Sequence, residues 1–401
     1  MSKRESVLSG MRPTGALHIG HYHGALKNWV RMQEQYDCYF FAADWHALTT
    51  HYESVEVLSD SVWEMFVDWF AAGIDPAKST VFIQSRVPQH AELFLLLAMA
   101  TPLAWLERVP TYKDQIEKLK ERDLSTYGFL GYPLMQAADI LIYRATKVPV
   151  GEDQVPHIEV TREIARRFNH LFGAEPGFEA KALAAANRLG KRAASEYLAC
   201  RTRYQQEGDR EALAAARALI DDAGSLSALE RERLLGYLEG TRRVILVEPA
   251  AVLTETPKVP GTDGQKMSKS YGNAVLMRED PKALADKIRR MATDPARVRR
   301  SDPGEPERCP VWQLHQVYSD EATKRWVQTG CRTAGIGCLE CKQPVIDAMA
   351  AEQAVWRERA QPYLDRPQLV REIVADGCAR ARRVAEETMA DVREAMGLKY
   401  E

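Results

Sequence analysis

Two histidines close the segment Arg12-Pro13-Thr14-Gly15-Ala16-Leu17-His18-Ile19-Gly20-His21. To react at a nucleoside triphosphate, a protein needs a close backbone approach, N–H groups aimed at anionic oxygens, and donors beside the phosphorus. Gly15 and Gly20 permit the approach, a helix opening at His21 or just before it supplies the dipole, and His18 and His21 supply donors. Far along the chain, Gly261-Thr262-Asp263-Gly264 leads into Lys266-Met267-Ser268-Lys269-Ser270. Two lysines three apart on a glycine-flanked loop can close over a pyrophosphate leaving group and offset the charge that grows in the transition state. A third set is Cys309, Cys331, Cys338 and Cys341, spaced C-x21-C-x6-C-x2-C. A C-x2-C end is typical of metal binding, and the same four thiolates would serve a [4Fe-4S] cluster or Zn2+. Cys38, Cys200 and Cys378 read as scattered structural residues.

These groups need a scaffold. Short apolar runs at Val7–Ser9, Cys38–Ala43, Thr80–Gln84 and Val148–Val150 alternate with segments of helical period, the pattern of a doubly wound α/β domain with a parallel sheet. Ligands bind such sheets beyond the strands' carboxyl ends, where the turns after Ser9 and Val150 fall. Between Pro176 and Pro249 there is no proline, and Ala, Leu, Glu and Arg dominate, so two to four inserted helices are expected. Its Arg188, Lys191, Arg192, Arg201 and Arg203 form either an RNA-facing stripe or a solvated helix face. Strand-like sequence resumes at Val244, and helices run from Asp280 to the end.

The expected divisions are a catalytic domain over 1–175 and 244–280, a helical insertion over 176–243, and a helical tRNA anticodon-binding domain with the cysteines over 281–385. Residues 386–401 should return toward the catalytic domain. At 401 residues and a formal net charge of -2, global basicity gives no argument for nucleic acid, so any RNA partner must be argued from a site. The longest apolar stretch, Leu93–Ala100, is far below the roughly 18 residues a membrane span needs, and the start has no apolar leader. A cytoplasmic protein with no membrane part is expected.

In this order the two phosphate elements match the paired signature of class I aminoacyl-tRNA synthetases. The chain resembles the tryptophanyl-tRNA synthetases in Tyr132-Pro133-Leu134-Met135-Gln136-Ala137-Ala138-Asp139-Ile140-Leu141 and in Val148-Pro149-Val150-Gly151-Glu152-Asp153-Gln154. Phe41–Thr49, Val160–Asn169 and Gly397 extend the likeness over most of the chain outside the insertion. It implies a Rossmann-like sheet domain, L-tryptophan, ATP with Mg2+ and tRNA(Trp) as substrates, a homodimer, and catalysis by His18, His21, Lys266 and Lys269. It implies an ATP site of Arg12, Thr14, Gly15, Gly20, His21, Gly151, Asp153 and Lys266 to Lys269, including Met267 and Ser268, with Gly151 and Asp153 on the ribose. For tryptophan it implies that Asp139 accepts the indole N–H, that Tyr132 and Gln154 hold the ammonium group, and that Gly10, His46, Ile140, Val148 and Val150 line the pocket. Indole offers one donor and no acceptor, so a buried acceptor selects it over phenylalanine.

Gln136 stands where an apolar residue fits the tryptophan pattern. Gln-x-x-Asp would also suit a phenol, which keeps a tyrosine enzyme open, while the segment from Val148 to Gln154 has the tryptophan form. The resemblance favours iron and sulfur at the four cysteines, with Arg332, Lys342 and Gln343 placed to meet anticodon bases. A small adenylyltransferase would not need these added segments. An inactive, tRNA-binding paralogue would not need both histidines and both lysines.

Overall fold

The computed structural model describes residues 4–52, 56–109, 126–175, 177–240, 243–253 and 259–400. Strands β1 (Ser6–Met11), β2 (Asp37–Ala42), β3 (Ser79–Ile83), β4 (Lys147–Val150) and β5 (Ala250–Leu253) form a parallel sheet in the order β3-β2-β1-β4-β5. Helices cover both faces, so the central strands are near-continuous apolar runs, with Val7, Phe40, Val81 and Phe82 fully buried. The chain adds β2 and β3 on one side of β1 and then crosses back to place β4 and β5 on the other. β1 pairs with β2 through six residues but with β4 only at Val7 and Lys147. The carboxyl ends of β1 and β4 are therefore not laced together, and the crevice that opens there is the expected ligand position of a doubly wound sheet.

The strand expected to resume at Val244 begins later, at Ala250. Asn169 is the reason. Its Oδ1 accepts from the Ile245 and Leu246 amides at 2.9 and 3.0 Å and its Nδ2 donates to the Leu246 carbonyl at 2.8 Å, so a side chain takes the bonds that a neighbouring strand would make.

Four helices, Phe178–Asn187, Lys191–Glu207, Arg210–Asp222 and Ala228–Leu238, occupy the expected insertion and bury their own core around Tyr197, Ile220, Leu234 and Leu238. Glu232 ties this core to the rest, accepting from Arg243 at 2.7 Å, while Arg243 also reaches Asp391 at 3.1 Å. Arg188 bonds Glu230 and the Ser225 carbonyl, and Arg201 lies over the Tyr237 ring and bonds its carbonyl. Those two arginines, expected either in an RNA-facing stripe or on a solvated face, thus hold the four-helix segment together.

The C-terminal helices share the sheet's core. Val345, Met349, Trp356, Val374 and Met389 belong to the same buried cluster as Val7 and Phe40. Residues 386–401 are expected to return toward the catalytic domain; of the two last helices, Cys338–Asp365 packs on helix Glu56–Ala72 and Pro367–Ala395 on β3. The second of these lies on β3 so closely that a Cβ on Gly377 would stand 1.8 Å from the Val81 carbonyl oxygen, and the Cys378 thiol accepts from the Ile83 amide at 3.5 Å. Only glycine fits that contact. Gly377→Ala should therefore push the helix off the sheet and lower stability by about 1–3 kcal/mol, read as a lower urea midpoint for loss of the main core.

Candidate active site

The crevice between β1 and β4 holds a cavity of about 310 Å3. Its wall includes every residue expected to meet tryptophan: Gly10 at the end of β1, His46, Tyr132, Gln136, Asp139 and Ile140 from helices, Val148 and Val150 from β4, and Gln154 beyond it. Arg12 and Gly151, assigned to ATP, line it as well. Sequence reasoning missed Asn28, Trp29 and Phe41 in the same wall. Gly10 is required by one of them, because a Cβ there would stand 2.5 Å from the Phe41 ring.

Asp139 is the electrostatic centre of the wall and is 1% exposed. His46 Nε2 meets its Oδ2 at 2.6 Å, His90 Nδ1 meets its Oδ1 at 2.6 Å, and Gln84 Nε2 donates to both oxygens at 2.8 and 3.0 Å. Burial alone would raise its pKa, but the two imidazoles outweigh that and hold it at about 2. His90 is anchored in turn by the Tyr143 hydroxyl at 2.7 Å. Gln84 and His90 were not singled out from the sequence, although they follow β3 at its carboxyl end, where ligand-side groups collect. Gln136 is held by His157, whose Nδ1 lies 2.7 Å from its Oε1.

The phosphate elements meet beside this cavity. The Ile19 amide donates to the Val275 carbonyl at 3.0 Å and the Met277 amide to the Leu17 carbonyl at 2.9 Å, so the histidine segment and the strip after the lysine loop run side by side. Lys269 Nζ donates to the Thr14 carbonyl at 2.8 Å, over Gly15, whose φ of 98° a side chain would strain. A Cβ on Gly15 would also meet that ammonium group at 2.8 Å. Met267 is buried, and its Cβ would lie 3.9 Å from one added to Gly20. Asn273 shapes the loop: its Oδ1 accepts from the Ser268 amide at 2.7 Å, and its Nδ2 donates to Asp263 and to the Lys266 carbonyl. Asp153 is exposed and accepts from Gln154 at 3.0 Å.

The rings of His18 and His21 stack 3.7 Å apart. Loss of water lowers both pKa values, His18 to about 4 with help from Lys269, and His21 to about 3 with help from His18 and then Lys269. At neutral pH they are uncharged hydrogen-bond donors, and the positive charge is carried by the lysines.

The four cysteines form a third locus. Cys309, Cys331 and Cys341 are each raised first by burial and also by the other thiols, Cys341 to about 12. Among the described residues, no group of three or more His, Cys, Asp or Glu side chains stands arranged to hold a metal ion. The side chains expected to meet anticodon bases are engaged within the protein. Buried Lys342 donates to the Arg289 and Met291 carbonyls at 2.8 and 2.6 Å, Gln343 to Asp347, and Arg332 to Glu305 and Glu307.

A doubly wound sheet with a substrate cavity at its switch point and a histidine–lysine phosphate cradle beside it defines an adenylate-forming class I synthetase. The family described as tRNA synthetases class I (W and Y) matches residues 2–193 and 211–352, and the chain belongs to it. Of the expected insertion 176–243, only 194–210 falls outside that match. The chain is 69% identical over 396 residues to the tryptophan–tRNA ligase of Ralstonia nicotianae, covering 99% of each. It is 44% identical to that of Thermotoga maritima, covering 98% of this chain and 99% of the relative. Among solved structures, tryptophanyl-tRNA synthetase from Campylobacter jejuni complexed with ADP and tryptophan superimposes with a TM-score of 0.71 at 28% identity, covering 98% of this chain and 99% of the other.

The depressed histidines predict a pH dependence. An unfolded histidine titrates near 6.5 and these near 4 and 3, so between those values the unfolded chain binds more protons. The stabilising contribution should be complete above about pH 6.5 and fall away as pH drops through 4 to about 3. His21→Asn should flatten that acid limb in thermal unfolding followed across pH.

Proposed function

We propose that the chain is a tryptophan–tRNA ligase of the AMP-forming type, acting on L-tryptophan, MgATP and tRNA(Trp). The observation that carries this reading is the convergence of the tryptophan residues on one cavity whose Arg12 lies two residues from Thr14, where Lys269 docks. The relatives' shared name supplies the amino acid. In the first step a carboxylate oxygen of tryptophan attacks the α-phosphorus of ATP in line, forming the mixed anhydride and breaking the bond to pyrophosphate. Neutral His18 and His21 donate to the phosphate oxygens, and Lys266 and Lys269 offset charge on the departing pyrophosphate. Tyr132 and Gln154 hold the ammonium group so that the carboxylate faces the nucleotide, and Gly151 and Asp153 seat the ribose. In the second step the terminal ribose hydroxyl of the tRNA attacks the anhydride carbonyl and AMP leaves. Positioning carries most of the catalysis, so no covalent intermediate on the enzyme is needed. Mg2+ enters with ATP, bound to its phosphate oxygens.

Exchange of labelled pyrophosphate into ATP should depend on tryptophan, with tyrosine and phenylalanine inert. Lys269→Ala should lower its kcat by about 100-fold or more, since it removes a cation from the developing charge. Exchange with tyrosine alone would move the chain to the sister enzyme, and exchange with no amino acid would make it a tRNA-binding paralogue.

The enzyme works as a cytoplasmic homodimer, with the helices after Asp280 forming the tRNA-reading part. By the family resemblance Cys309, Cys331, Cys338 and Cys341 would be the ligands of a [4Fe-4S] cluster, with Zn2+ as the alternative, and the described side chains would have to draw together to bind it. What supports a metal there is the C-x2-C end formed by Cys338 and Cys341 together with the family resemblance. The protein purified without oxygen should carry about four irons per chain, and Cys338→Ser should lose them together with tRNA charging. One zinc per chain would select the alternative.

A further inference from the structure

Gln136 is the residue of the cavity wall that departs from the apolar pattern, and a primary amide beside an apolar ring is costly unless it is hydrogen-bonded. Its partner, His157, stands behind the wall: it is 3% exposed and does not line the cavity. His157 lies in the first turn of helix Val155–Phe172, which starts directly after Gln154. Thr161 ties that turn down, its Oγ1 donating to the His157 carbonyl at 2.8 Å. Burial lowers the pKa of the imidazole to about 4, although Asp153 pulls the other way, so the ring is neutral at pH 7. An amide oxygen can only accept, so the one ring proton sits on Nδ1, 2.7 Å from Gln136 Oε1. The same imidazole stands edge-on to the Tyr132 ring, with centroids 6.1 Å apart, and His46 meets that ring at 4.5 Å. Tyr132 and Gln136 are four apart on helix Tyr132–Ile142 and share a face, so one side chain behind the wall reaches both.

We propose that His157 is a positioning residue for the amino acid: by bonding Gln136 and packing against Tyr132, it fixes the two neighbouring side chains of the wall against which tryptophan is seated. This rests on the tryptophan reading above. Released from Nδ1, the Gln136 amide would either keep an unpaired oxygen or turn into the space that the amino acid needs. Both costs fall on seating tryptophan, in the ground state and the transition state alike, so they raise KM and leave kcat in place.

His157→Phe keeps a ring beside Tyr132 and removes the proton. In pyrophosphate exchange it should raise the KM for tryptophan about 10-fold, with kcat and the KM for ATP changed by no more than about twofold. His157→Asn, whose Nδ2 can donate from near the place of Nδ1, should recover most of that loss. The deciding comparison repeats His157→Phe in a Gln136→Met background, where no amide is left to hold; there it should change the KM for tryptophan by less than about threefold. His157→Ala takes the place of the phenylalanine variant if that one does not fold. Equal loss in both backgrounds, an asparagine variant no better than the phenylalanine one, or a fall in kcat with a parallel rise in the KM for ATP would overturn the proposal while leaving tryptophan activation standing. Absence of tryptophan-dependent exchange in the wild type would instead remove the reading beneath it.

Discussion

Asp68 sits in an apolar helix, 1% exposed, and from there it holds both halves of the phosphate site. Its Oδ2 accepts from the Leu17 amide at 2.9 Å and its Oδ1 from Arg278 Nε at 2.5 Å. Leu17 precedes His18, and Arg278 ends the strip that follows the lysine loop. One buried carboxylate therefore clamps two segments far apart in the chain, and the backbone bonds of Ile19 and Met277 complete the seam. Without that seam the histidines and lysines would be two unrelated loops. A buried acid on a helix whose Phe66, Trp69 and Phe70 are buried as well is stable only with such partners.

A second buried acid, Asp139, organises the other half of the site by a different use of the same physics. Asp68 joins backbone to backbone, whereas Asp139 fixes side-chain rings. Its partners come from helix Asp44–His51, the turn after β3 and helix Gln89–Ala98, so three elements of the sheet domain must be in register for the cavity wall to exist. The two acids divide the work between the nucleotide and the amino acid.

The thiol locus is connected to this machinery through helix Pro310–Tyr318. At one point of that helix His315, fully buried, lies 3.4 Å from the Cys341 thiol, and at its end Tyr318 meets His23 Nε2 at 2.9 Å. His23 belongs to the π-helical turn Tyr22–Leu26 directly after His21. π-turns recur at functional sites because they let a helix shift side chains out of the regular pattern. The cysteine region and the phosphate cradle are thus linked by a short path of contacts within one continuous core.

Much of this protein was legible in the chain itself, because its information is local. A glycine-bearing turn after the first strand, a histidine pair at a helix start and a C-x2-C end are each set by spacing along a few residues. The same holds for the alternation of strand and helix, which follows from side-chain period. What the tertiary structure decided are the contacts whose partners lie far apart in sequence. Asn169 replaced a strand partner and moved β5. Gly377 let the last helix lie directly on β3. Gln84 and His90 joined His46 on the buried Asp139, while Lys342, an exposed cation by sequence type, was drawn inside to bond two carbonyls. Residue type and spacing determine what a group can do, but which lone pairs and protons remain unpaired depends on the whole set of neighbours, and only folding brings those together.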